Sequence, residues 1–137
     1  MRLLIPLLAV TSSILFTQHA DAGSRMDGMR LLHECQLAIR TTDSGHRLTP
    51  DEEASSSHCI GYIQGVLDTN ALWDAIDERD HQTNRPHYCV KQATGDVSLE
   101  QIIRIVVEWA KAHPKDLNDP GWVTIQGALL NAFPCKP

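Results

Sequence analysis

Four cysteines, Cys35, Cys59, Cys89 and Cys135, carry the most reactive side chains of this chain. Their spacing argues against structural zinc, whose ligands typically come in pairs separated by roughly two to four residues; here no two cysteines are that close, although His33 and His58 each neighbour one. In an oxidising compartment an even set reads as two disulfides, and spacing alone leaves all three pairings open. Once oxidised, the set offers no thiol nucleophile. Histidine is the other candidate for chemistry, with His33 beside Glu34 and His81 near His87. Neither pair completes a ligand or acid–base pattern. No catalytic residue, metal ligand or cofactor site is therefore assigned, and the expectation is a protein that is not an enzyme.

The compartment follows from the N-terminus, "MRLLIPLLAVTSSILFTQHADAG". Arg2 supplies a short basic region, Leu3 to Phe16 an apolar run, and Ala20, Asp21, Ala22 a small-x-small triplet, which together read as a secretory signal peptide over residues 1–22. The run is shorter than the roughly 20 apolar residues that a spanning helix needs. Residues 23–137 then form one exported, periplasmic domain with no membrane segment, short enough to profit from covalent staples. A net charge of −5 without a basic stripe disfavours nucleic acid and anionic membrane as partners.

The elements that must hold the cysteines read as helices. "SRMDGMRLLHECQLAIR" places Met29, Leu31, Leu32, Cys35 and Ile39 at helical spacing, ending at Arg40 before the breaker "TTDSGHR". A long second helix begins with Thr49 as N-cap, Pro50 next and Glu52 three positions after the cap, and carries Cys59, Ile63, Val66, Leu67, Asn70, Trp73 and Ile76 at steps of three and four. "SLEQIIRIVVEWAKAHP" repeats the capping box with Ser98 and Gln101, and Pro114 terminates it. After the short loop "KDLND", Asp119 is the expected cap and Pro120 the first residue of a last helix ending before Pro134. The connection "DERDHQTNRPHYCVKQATGDV" has no sustained period and is tied down by Cys89. No alternating strand pattern competes, so the expected fold is all-α, a compact bundle of about four main helices stapled by two disulfides.

Gly61 and Gly65 sit four apart in the second helix, each costing about 1 kcal/mol relative to alanine. A close backbone approach would explain them, so Gly61, Tyr62 and Gly65 are expected to pack tightly against another helix. Cys59, one turn earlier, would press on the first helix, which antiparallel return brings near Cys35. The expected pairs are thus Cys35 with Cys59 and Cys89 with Cys135, each contributing roughly 3 to 4 kcal/mol through loop closure.

Several segments resemble a known family: "CIGYIQG" at 59–65, "YC" at 88–89, "VSLEQI" at 97–102, "AHP" at 112–114 and "ALLNAFPC" at 128–135. They are similar to the Rap/Tai family, small periplasmic immunity proteins that protect bacteria from peptidoglycan amidases delivered by type VI secretion. The resemblance spans Leu31 to Cys135. It departs from the family at Val90 and Lys91, where a proline usually follows the third cysteine, which bears on the path of the loop. The resemblance implies an α-helical domain, often a homodimer, that fills the catalytic cleft of a cognate amidase toxin with a loop.

On that reading the partner-facing residues belong on exposed loops. The acidic run Asp74, Asp77, Glu78, Asp80 with His81, Asn84 and Arg85 is the first candidate, because negative charge steers a basic partner, and Lys115 and Asp116 of "KDLND" are the second. Trp73 and Trp109 lie on or beside the apolar stripes and are expected in the core, and Trp122 is the most open of the three tryptophans. The competing function is an exported accessory or stress-related binding protein without a toxin partner, which has the same sequence features.

Overall fold

The computed structural model of the protein describes residues 25–45, 47–80, 88–90 and 97–135. Asp27 opens the first helix, α1 (Gly28–Ser44), by accepting the Arg30 amide at 2.8 Å, which satisfies one of the amides a helix start leaves without partners. The helix continues one turn past Arg40, the end that periodicity suggests. Thr41, Thr42 and Ser44 donate their hydroxyls back to the carbonyls of Leu37, Ala38 and Arg40, so the polar residues expected to break the helix are accommodated within it. It ends at Gly45, whose φ of 59° lies in the left-handed region and whose amide donates to Thr41.

The capping box of α2 (Pro50–Asp80) forms as read: the Thr49 amide donates to Glu52 Oε2 at 2.9 Å and the Glu52 amide to Thr49 Oγ1 at 3.3 Å. Asp51, Glu52 and Glu53 in the first turn suit the positive end of the helix. α3 (Leu99–Ala112) is capped in the same way by Ser98 and Gln101, and it buries Ile102, Ile103, Val106, Val107 and Ala110 on one side. "KDLND" is not a plain loop. It belongs to a 3-10 segment, Pro114–Asn118, pinned by buried Leu117.

The last helix, α4 (Gly121–Ala132), starts one residue later than expected, with Pro120 in the cap position and no side-chain cap from Asp119. Tertiary pairing is the reason. Asp119 and Pro120 run extended beside the entry to α1, where the Gly28 amide donates to the Asp119 carbonyl at 2.9 Å and the Gly121 amide to the Met26 carbonyl at 2.8 Å.

α1 is the hub, packing on α2, α3 and α4. Leu31, Cys35, Cys59, Ile63, Val106, Ile125, Ala128 and Leu129 are wholly buried and form the centre of one core. Each large apolar side chain so removed from water contributes about 1.5–3 kcal/mol. Cys35 bonds Cys59 and Cys89 bonds Cys135, with Cα separations of 5.2 and 4.9 Å, so both expected pairings hold. The architecture is the all-α bundle of four main helices among the described residues, stapled twice. Among those residues no helix is long and apolar enough to cross a membrane.

Two expectations fail. Gly61 and Gly65 are exposed, and a Cβ at either would meet nothing within 4 Å among the described residues, so neither permits a close approach to another described helix. The periodicity correctly puts them on one face, but the core takes the opposite one, with Ser56, Cys59 and Ile63. Tyr62 does pack closely, its Cε1 lying 3.2 Å from where a Cβ on Gly121 would stand. The crowded glycines are instead Gly28 and Gly121, where the entry to α1 meets the start of α4, and Gly127 against the Trp109 ring. A Cβ on Gly28 would stand 2.7 Å from Thr124 Oγ1 and 3.0 Å from the Leu117 Cα.

Trp73 is the second failure, 42% exposed rather than in the core. Trp109 is half-buried against Gly127 and stacks on the His113 ring at 3.7 Å, while Trp122, as expected, is open at 48%.

Candidate partner-binding surface

α2 changes character along its length. Its first half is fastened to α1 by the Cys35–Cys59 bridge and by a buried carboxylate: Glu34, 3% exposed, accepts from Arg30 Nε at 2.8 Å and lies 2.7 Å from His58 Nδ1. The sequence neighbour His33 is exposed and takes no part in this contact, so the acid–base pair suggested by adjacency is replaced by a strap between two helices. A carboxylate taken from water needs such partners, and losing one strands the other.

From Asp68 onward the balance shifts to solvent. Asp68, Thr69, Ala71, Leu72, Trp73, Asp74 and Ala75 are all exposed, with only Asn70 and Ile76 half-buried. Leu72 is 59% exposed beside Trp73, a large apolar pair set among carboxylates. Asn70 Nδ2 donates to Asp74 Oδ2 at 3.0 Å, which fixes that acid one turn along the helix. Asp77 and Asp80 continue the helix backbone to its last turn, whereas His81, Asn84 and Arg85 lie outside the described residues. Half of the expected acidic site is thus the outer end of a helix rather than a loop.

Sequence reasoning missed Leu72 and misplaced Trp73. The signal was available in composition: Asp68, Asp74, Asp77 and Glu78 crowd a segment whose large apolar residues would otherwise demand burial. An exposed tryptophan and leucine ringed by polar groups is the arrangement of an interface anchor.

Lys115 and Asp116 are exposed on the 3-10 segment, which packs on α1, α3 and α4. Their backbone is held by Leu117 beneath and by the Asp116 amide donating to the His113 carbonyl at 3.1 Å. Between α3 and α4 an open groove of 640 Å³ has an apolar floor of Ile105, Trp109, Ala112, Ala128 and Ala132, with Glu108, His113 and Asn131 as its polar lining.

Electrostatics on the opposite flank are saturated. The Arg104 guanidinium bonds both Asp43 oxygens and Glu100, holding the Asp43 carboxyl below its ordinary range and tying the end of α1 to α3. Tyr88 is buried next to the C-terminal segment. Burial first, and then the charge of Asp74, push its phenol up to about 12.

Among the described residues the outer half of α2 exposes Leu72 and Trp73 together with Asp68 and Asp74. No curated protein and no solved structure matches the chain. Residues 27–135, all four helices and both bridges included, match the family model of Rap1a immunity proteins, and the chain belongs to that family.

Proposed function

We propose that this chain is a periplasmic immunity protein that binds a type VI secretion peptidoglycan amidase toxin and inhibits it by occluding the active site. The observation that carries this reading is the family match over residues 27–135, which makes the chain an immunity protein by kinship. Export through a signal peptide at 1–22 fits it, because the substrate of such a toxin is the cell wall. The exposed end of α2, with Leu72 and Trp73 among Asp68, Asp74, Asp77 and Asp80, is the proposed contact, together with Lys115 and Asp116. His81, Asn84 and Arg85 complete the proposed surface in sequence. Acidic side chains there would steer a basic toxin, and the apolar pair would supply short-range affinity.

The test is co-purification of residues 23–137 with exported amidases from the same genome and close competitors, scored for a stable complex and for lost peptidoglycan cleavage. A tight complex that abolishes cleavage supports the reading. Absence of a complex across the panel would move the assignment to an exported accessory protein. A homodimer, the other association implied by family likeness, is read in the same preparation by sedimentation.

A further inference from the structure

The two disulfides differ in a way that matters for their chemistry. Cys35 and Cys59 are wholly buried between α1 and α2, inside the core formed by Leu31 and Ile63. Cys89 and Cys135 are half-buried, and Cys135 lies just past the end of α4. Around that bridge the Cys89 amide donates to the Phe133 carbonyl at 2.8 Å, and Tyr88 pairs with Pro134 in an isolated antiparallel bridge. Tyr88 and Phe133 are both buried under this junction, and the Tyr88 hydroxyl is buried without a hydrogen-bond partner among the described residues.

We propose that Cys89–Cys135 is a redox-responsive latch: an external dithiol opens it while Cys35–Cys59 stays closed, releasing Tyr88 and the chain end from each other with the helices intact. Thiol–disulfide exchange requires a thiolate to reach a sulfur in line with the bond, so access selects the half-exposed bridge. One thiolate of the dithiol attacks either sulfur of Cys89–Cys135, forming a mixed disulfide and expelling the other cysteine as thiolate. The second thiol of the reagent then closes its own ring disulfide and expels the first cysteine. Two electrons pass from the dithiol to the bridge, and the two protons of its thiols end on Cys89 and Cys135. α1, α2, α3 and α4 also pack on one another through Leu31, Ile63, Val106 and Ile125, contacts that remain when the bond opens, while Tyr88 and Phe133, members of the same core, lose their tie.

The experiment uses the oxidised mature chain treated with dithiothreitol at neutral pH, quenched with iodoacetamide over time, and mapped by peptide mass spectrometry alongside far-ultraviolet circular dichroism. Cys89 and Cys135 are expected to label at least tenfold faster than Cys35 and Cys59, with helical signal retained in the doubly labelled species. Simultaneous labelling of all four cysteines, earlier labelling of Cys35 and Cys59, or loss of helicity with the first two labels overturns the proposal. A second readout follows the phenol in Tyr62→Phe, where Tyr88 is the remaining tyrosine. Absorbance at about 295 nm should show its ionisation moving from near 12 in the oxidised protein toward the ordinary value of 10 after labelling. An ionisation that stays where it was shows that opening the bridge releases nothing, and overturns the latch even if the labelling order is as expected.

Discussion

Gly65 and Gly28 are the same residue type in the same small bundle, and they occupy their positions for opposite reasons. At Gly28 a methyl group would stand 2.7 Å from the Thr124 hydroxyl and 3.0 Å from the Leu117 backbone, so the seam between α1 and α4 closes only because nothing is there. At Gly65, and at Gly61 one turn before, a methyl group would meet open space, and both residues point away from Cys59 and Ile63. A glycine in a helix is thus a question about its surroundings. Gly61 and Gly65, inside α2, carry the full propensity cost without recovering it in packing among the described residues, whereas Gly28 is the first residue of α1, where that cost is smaller and the close seam requires a glycine.

The largest effect that sharpens this contrast lies on the inward side of α2. Ile63→Ala removes a wholly buried side chain and should lower unfolding free energy by about 2–5 kcal/mol, measured by urea denaturation. A loss below that range would mean that α2 sits on the core more loosely than its burial indicates.

Gly28→Ala comes next. Overpacking against Thr124 and the Leu117 backbone should cost about 1–3 kcal/mol, because backbone cannot step aside as a flexible side chain can. On the outward line the sign reverses: Gly61→Ala and Gly65→Ala should each stabilise by about 1 kcal/mol in the same assay. Destabilisation at Gly61 or Gly65 would break the comparison and restore a close partner to that face.

Tyr88 tests burial of a different kind. Its hydroxyl is buried without a partner among the described residues, so Tyr88→Phe should be neutral or stabilising, by up to about 1–3 kcal/mol. The phenol is raised from 10.0 to about 12 in the folded protein, so the folded chain holds its proton where the unfolded chain loses it. Its contribution is intact below the unfolded value and is lost as pH rises from about 10 through 12. Melting temperatures of wild type and Tyr88→Phe should therefore diverge across that window, the wild type falling faster.

Trp73→Ala is the smallest perturbation of the fold, expected within about 0.5 kcal/mol because the side chain lies largely outside the core. Its expected effect is on the toxin complex, which should weaken at least tenfold in Kd by titration calorimetry. A large stability loss with an unchanged complex would return Trp73 to the role of a packing residue.

Local chemistry makes much of this bundle legible in its amino-acid order. The capping boxes at Thr49 and Ser98, the terminator Pro114 and the two disulfide pairings all follow from interactions within a few residues or from one antiparallel return. Helical spacing likewise tells which residues share a face. It does not tell which face turns inward, because a periodicity has no sign: Trp73 reads as core by spacing and emerges on the surface, and Gly61 and Gly65 read as a contact and emerge opposite to it.

The remainder belongs to contacts between segments far apart in the chain, or to bonds that spacing does not reveal. Asp119 is a cap by sequence, but its carbonyl is taken by Gly28; Arg40 is an end by periodicity, but the hydroxyls of Thr41, Thr42 and Ser44 bond back to the helix they were expected to stop. Glu34 sits next to His33 in sequence and meets His58 in space. The sequence by itself determined that this protein is a helical, twice-stapled body with the starts of α2 and α3 in place, since those features are set by local hydrogen bonding and loop closure. Only tertiary structure decided which side of α2 is buried and which aromatic it leaves exposed, because burial is chosen by the whole core at once.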